Sequence, residues 1–130
     1  MRISIFLALL ITLPGLQSCQ HQQHVNDVTV VSMTKVIDTN APDHEICSSL
    51  ALTKENVETY FSVASEVDEY VFHDEAIILP CKYQGSIRIH GEELQWEIFA
   101  GGAGYLYDKK SVNRRYLCKK DCCGSLPNLC

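Results

Sequence analysis

Seven cysteines in 130 residues constrain this chain more than any other feature. Four of them, Cys118, Cys122, Cys123 and Cys130, crowd the carboxy terminus, and the others are Cys19, Cys47 and Cys81. In a short exported chain an even set of cysteines reads as a disulfide framework. The tail spacing, C-x3-C-C-x6-C, is neither the C-x2-C pair of common zinc sites nor the motif of thiol oxidoreductases. We therefore expect no metal and no cofactor, and we take Cys47, Cys81, Cys118, Cys122, Cys123 and Cys130 as disulfide partners. Side chains of adjacent Cys122 and Cys123 diverge, so each should have a different partner. A local Cys123–Cys130 loop is expected, with Cys47 and Cys81 each tied to the tail. Cys19 is then left over.

The amino terminus explains the leftover. Arg2 is the only charged residue before Asp27. The apolar run from Ile3 to Leu13 is shorter than the roughly 20 residues of a membrane-spanning helix, and Pro14-Gly15 breaks any helix. Charge, apolar core and breaker in this order make a secretory signal. Its last residues, Leu16-Gln17-Ser18-Cys19, lack the small-residue A-x-A arrangement of an ordinary signal. They resemble the lipobox of bacterial lipoproteins, with Gln17 departing from the usual small or β-branched residue. The resemblance covers residues 1–19 only. It implies removal of residues 1–18 and lipidation of Cys19 with a diacylglyceryl group and an amide-linked acyl chain such as palmitate. One chain alone gives marginal residence at ~0.8 kcal/mol per buried methylene, whereas several make detachment negligible. Gln20, where retained proteins carry Asp, implies the outer membrane. The alternative is a plain secretory signal with Cys19 as a further disulfide partner.

On the lipoprotein reading the mature chain keeps 10 Lys+Arg against 16 Asp+Glu, a formal charge of −6, because only Arg2 is lost. Nucleic acid, which needs a basic stripe, is excluded as a partner; a cationic partner is favoured by steering. Residues 20–27 read as a polar tether, with His21 and His24 as solvated spacer. Residues 19–40 are thus the lipidated cysteine and a tether or arm, and 41–130 a small cysteine-rich domain. A domain of this size profits from disulfides at about 2–4 kcal/mol each.

Patterning predicts the elements of that domain. Residues 28–37 are rich in β-branched residues and read as a strand or an extended arm, ended by Asn40-Ala41-Pro42-Asp43. Thr53 is an N-cap with Glu55 in the first turn. Val57, Tyr60, Phe61, Ala64 and Val67 then recur at helical spacing, predicting an amphipathic helix from 54 to about 67. Ala76-Ile77-Ile78-Leu79 before Pro80 suits a strand. Ile87 and Ile89 alternate with polar residues, as do Leu94, Trp96, Ile98 and Ala100. A two-residue type II′ turn with Gly91 first would place Ile89 opposite Leu94 and Ile87 opposite Trp96. Strands are also expected over 105–107 and 115–118, joined by a turn at 108–111. The fold class is α+β: one amphipathic helix on a disulfide-stabilised antiparallel sheet of three to five strands.

Candidate chemistry is sparse, and we expect no catalytic residues. Gly101-Gly102-Ala103-Gly104 lacks the Lys-Ser/Thr ending of a phosphate loop and reads as a tight strand connection. His73-Asp74-Glu75 is the most chemical-looking triplet, but extended neighbours point in alternate directions, so a charged loop is expected. Phe99 falls on the polar side of its strand. With Tyr105, Tyr107 and His73 it marks a binding surface, unless the sheet is covered on both faces. The function that follows is non-enzymatic: an outer-membrane-anchored, periplasm-facing lipoprotein that binds an envelope or periplasmic protein, for instance as an immunity or inhibitor protein against a delivered toxin. The alternatives are an envelope structural or assembly factor, and a periplasmic enzyme or thiol-redox protein using His73, Asp74 or the cysteine cluster.

Overall fold

The computed structural model describes residues 27–108, 110 and 113–130. Cys19, the tether and the signal segment lie outside them. The strands are β1 (Val28–Val30), β2 (Thr34–Ile37), β3 (Ser65–Val67), β4 (Cys81–Ile89), β5 (Glu92–Phe99), β6 (Ala103–Tyr107) and β7 (Asn113–Leu117). The helices are α1 (Lys54–Val63), α2 (Glu69–Glu75) and α3 (Lys120–Ser125), with 3-10 turns at His44–Ser49 and Pro127–Leu129. All ladders are antiparallel, in the order β1-β4-β5-β6-β7-β3, and β2 also pairs with β4. The α+β class therefore stands, but among the described residues seven strands and three helices replace the single helix on three to five strands.

Residues 28–37 take the strand alternative, split by a bulge. The pairings Val30↔Ile87 and Thr34↔Gln84 differ by one residue in register. The amides of Val31 and Ser32 both donate to the Ser86 carbonyl, at 2.9 and 3.1 Å. One extra residue switches the parity of the chain. Val28 and Val30 therefore share a face with Ile87 and Ile89, whereas Val36 shares the other face with Lys82. Apolar and polar residues therefore do not alternate cleanly over 28–37.

The β4–β5 hairpin forms in a register two residues from the expected one. Ile87 faces Leu94 and Ile89 faces Glu92. The turn residues are His90 and Gly91, both with positive φ (49° and 79°), as a type I′ turn requires and a type II′ turn does not. A shift of two leaves every side chain on its own face, so the apolar pattern could not separate the two registers.

One face of the sheet carries the main core. Trp96, Ile98, Ile87 and Leu106 are fully buried there, with Val57 and Tyr60 of α1 against them. Phe61 meets Tyr60, Trp96 and Tyr116 edge-on at centroid distances of 5.0, 6.4 and 5.4 Å, the geometry that ring quadrupoles favour. Cys122, Leu126 and Leu129 from the tail close this core. α1 begins as expected: the Thr53 side chain accepts from the Asn56 amide at 3.1 Å, and the Asn56 side chain accepts from the Thr53 amide at 3.0 Å. Glu55, in the first turn, has its carboxyl pKa lowered by its own backbone amide, the Thr53 hydroxyl and Lys54.

Three expectations fail after Val63. The helix does not run to 67, because Ala64 turns extended and β3 pairs with β7; Ala64 and Val67 fit helical spacing, but a ladder partner 50 residues away outcompetes another turn. The triplet His73-Asp74-Glu75 is not a loop but lies in α2, capped by Asp68, whose carboxylate accepts from the Val71 amide at 2.9 Å. Residues 76–79 form no strand: they join α2 to β4 and pair with no strand of the sheet.

The cysteines pair as Cys47–Cys81, Cys118–Cys122 and Cys123–Cys130, with Cα separations of 5.7, 5.0 and 5.7 Å. The Cys123–Cys130 loop and the separate partners of Cys122 and Cys123 are as expected. The tie of Cys47 and Cys81 to the tail is wrong. The Asp38 amide donates to the Pro80 carbonyl at 2.8 Å, and β2 runs beside the start of β4. The 3-10 turn that follows β2 thereby sets Cys47 over Cys81.

Candidate functional site

The second face of the sheet is the candidate site. Cross-strand pairing places Lys82, Glu97, Phe99, Tyr105, Tyr107 and Arg115 on it. α2 covers one end. Phe72 packs there with Ala103 and Leu117, joined by Val67, Val71, Phe99 and Tyr105. The Phe72 and Phe99 rings lie 4.9 and 6.3 Å from that of Tyr105. The face is thus covered by α2 at the β3 end and left open beyond it.

The open part is a groove of two adjoining hollows. One, of about 290 Å³, is lined by Glu97, Tyr105, Tyr107, Asn113 and Arg115. The next, of about 300 Å³, shares Tyr105 and Arg115 and reaches Phe72, His73 and Ile78 beside α2. Phe99 and Ile78 then wall a third hollow of about 240 Å³ against Val36 and Lys82. The four residues singled out from sequence, Phe99, Tyr105, Tyr107 and His73, therefore line one continuous surface. Ile78, which lines two of these hollows, is 51% exposed.

Its electrostatics are paired. The Lys82 Nζ lies 2.7 Å from Glu97 Oε1 and 5.3 Å from the centre of the Phe99 ring, so the ammonium is held between a carboxylate and a ring face. Arg115 reaches Glu69 of α2 at 3.8 Å, and Lys119 reaches Glu75 at 3.1 Å. Burial raises the Tyr107 phenol pKa, with the Glu97 charge adding and Lys82 opposing, so this hydroxyl stays a neutral donor and acceptor. His73 and Asp74 approach to 3.6 Å, but at 89% and 82% exposure both are open to water.

Sequence reasoning missed Phe72, Lys82, Arg115 and Ile78. The correct hairpin register would have shown Lys82 opposite Phe99 and diagonal to Glu97. Phe72 and Ile78 became visible only once α2 replaced the expected loop. Among the described residues no helix is long and apolar enough to cross a membrane. No protein-family model matches the chain, and no curated protein or solved structure matches it.

Proposed function

We propose that this chain is a lipid-anchored envelope protein whose stapled domain binds a basic protein through the open outer face beside α2. An immunity or inhibitor role against a toxin delivered to the periplasm is its most concrete form. The observation that carries the proposal is the groove lined by Phe72, Ile78, Phe99, Tyr105 and Tyr107: aromatic and aliphatic side chains concentrated on one open face are the composition of protein-binding surfaces. Charge supports the choice of partner. The mature chain is net acidic, and α2 beside the groove exposes Asp74 together with Glu69 and Glu75, which are ion-paired to Arg115 and Lys119. The anchor rests on the resemblance of Leu16–Cys19 to a lipobox, and an oxidising compartment fits three paired disulfides.

Two measurements test this. Ile78→Asp places a charge on the exposed rim without touching the core. A partner recovered from detergent-solubilised envelopes by the wild-type protein should be lost at least about tenfold by this variant, with its circular dichroism unchanged. Equal recovery by both would reject the face. Cys19→Ser should shift the protein from membranes to the soluble fraction; retention in membranes would reject the anchor.

A further inference from the structure

We propose that the carboxy-terminal sulfur cluster is a thiol–disulfide exchange site, in which a dithiol reductant opens the Cys123–Cys130 bond and Cys130 then captures Cys118 from Cys122. None of these residues lines the outer-face groove, so this inference is independent of the partner reading.

Proximity is the first argument. The sulfurs of Cys118, Cys123 and Cys130 all lie within 4.8 Å of one another, although they belong to two different disulfides. Cys130 Sγ is 3.8 Å from Cys118 Sγ, to which it is not bonded. That is van der Waals contact between a prospective nucleophile and the sulfur it would attack.

The fold builds this contact on purpose-shaped backbone. Gly102 has φ +91°, and a Cβ there would meet Cys118 Cβ at 2.7 Å and the Leu129 carbonyl at 3.2 Å. The Cys118 amide also donates to the Gly102 carbonyl at 3.0 Å. A residue without a side chain thus lets the end of β7 and the last 3-10 turn close on the same point, and Cys118 and Cys130 follow from that.

Accessibility is graded along the same path. Cys130 is exposed, Cys118 and Cys123 are half-buried, and Cys122 is buried. An external dithiol meets Cys130 first. Its thiolate bonds to Cys130 Sγ and expels Cys123, which takes a proton. The second thiol of the reductant then closes its own disulfide and releases Cys130 as a thiol. Deprotonated, Cys130 attacks Cys118 Sγ. The Cys118–Cys122 bond breaks, and Cys122 leaves as a thiolate and takes up the proton that Cys130 gave up. The dithiol has been oxidised, one protein disulfide has been reduced, and the surviving tail bridge has moved from a separation of 4 to one of 12. Cys122 ends as a neutral thiol in apolar surroundings, which a cysteine tolerates as a small hydrophobe. α3 loses its own staple, while the chain end stays fastened to β7.

The test uses the detergent-solubilised full-length protein. Cys123→Ser leaves Cys130 unpaired without any reductant. After maleimide labelling, tandem mass spectrometry should find the label divided between Cys130 and Cys122, with about a tenth or more on Cys122 and a matching Cys118–Cys130 bridge. In the wild-type protein, one equivalent of dithiothreitol followed by acid quenching should label Cys122 and Cys123. Label on Cys130 alone in the variant overturns the proposal. In the wild-type protein, so does label confined to Cys123 and Cys130 with Cys118–Cys122 intact, or label arising first at Cys47 and Cys81. If the variant fails to fold by circular dichroism, the wild-type result decides.

Discussion

At the scale of single residues, Tyr60 shows how a side chain chosen for its apolar spacing acquires a polar role. It was legible as a core position from its place in the helical repeat. Its hydroxyl, however, donates to the Gly102 carbonyl at 2.8 Å, with the Tyr116 carbonyl at 3.3 Å, and no local pattern announces a partner 42 residues away. Burial drives its pKa above the ordinary range of a phenol, with Tyr116 adding to the shift. A raised folded-state pKa means that stability is present in full below the unfolded value, about 10, and is lost as pH rises above it. The unfolded phenol then ionises while the folded one cannot, and the loss approaches about 1.4 kcal/mol per pH unit for this group. Tyr60→Phe should therefore cost about 1 kcal/mol at neutral pH through the lost hydrogen bond, and the variant should fall less steeply between about pH 10 and 11. Urea midpoints at the two pH values check this; parallel slopes would contradict it. The outer-face residues obey the same logic in reverse. Phe99, Tyr105 and Tyr107 were visible as aromatic side chains on a polar parity, but the ammonium of Lys82 between Glu97 and Phe99 was not, because it needs the correct cross-strand register.

At the scale of elements, what was local was legible and what was paired at a distance was not. The start of α1 could be read because the Thr53 cap acts within its own turn, three residues from its partner Asn56. Its end could not, since β3 exists only through its ladder with β7. The apolar run 76–79 looks like a strand and pairs with nothing, although the β2 and β3 edges carry no further strand; strand propensity alone does not make a ladder. The hairpin is the intermediate case. Its faces were readable from alternation, but its register turned on which two residues make the turn. His90 sits at φ 49°, a region that asparagine tolerates better. His90→Asn should raise stability by roughly 0.5 kcal/mol. The contact it removes, His90 to Asp27 at 3.2 Å, is exposed and screened by water. Thermal unfolding measures the gain; a lower midpoint would show that the turn is not of the type I′ kind.

At the scale of the whole molecule, the disulfides tie the layers together unequally. Cys47–Cys81 closes a loop with a separation of 34, against 4 for Cys118–Cys122 and 7 for Cys123–Cys130. Chain entropy in the unfolded state then ranks the costs of removal at about 4, 2 and 2.5 kcal/mol respectively. Paired Cys→Ala variants, unfolded in urea, should follow that order, and a tail pair costing more than Cys47–Cys81 would refute it. Local spacing and composition settle the α+β class, the α1 amino terminus, the two faces of the hairpin and the membership of six cysteines in a disulfide set. Each of these follows from spacing within about a dozen residues or from composition. Long-range contacts select the bulged edge strand, α2, the hairpin register, the Cys47–Cys81 bond and the groove between α2 and the sheet. The physical reason is common to all five. Two registers with the same parity, two helix ends with the same spacing and several pairings of the same cysteines differ little in local energy. Only contacts between distant segments, made once the sheet closes, separate them.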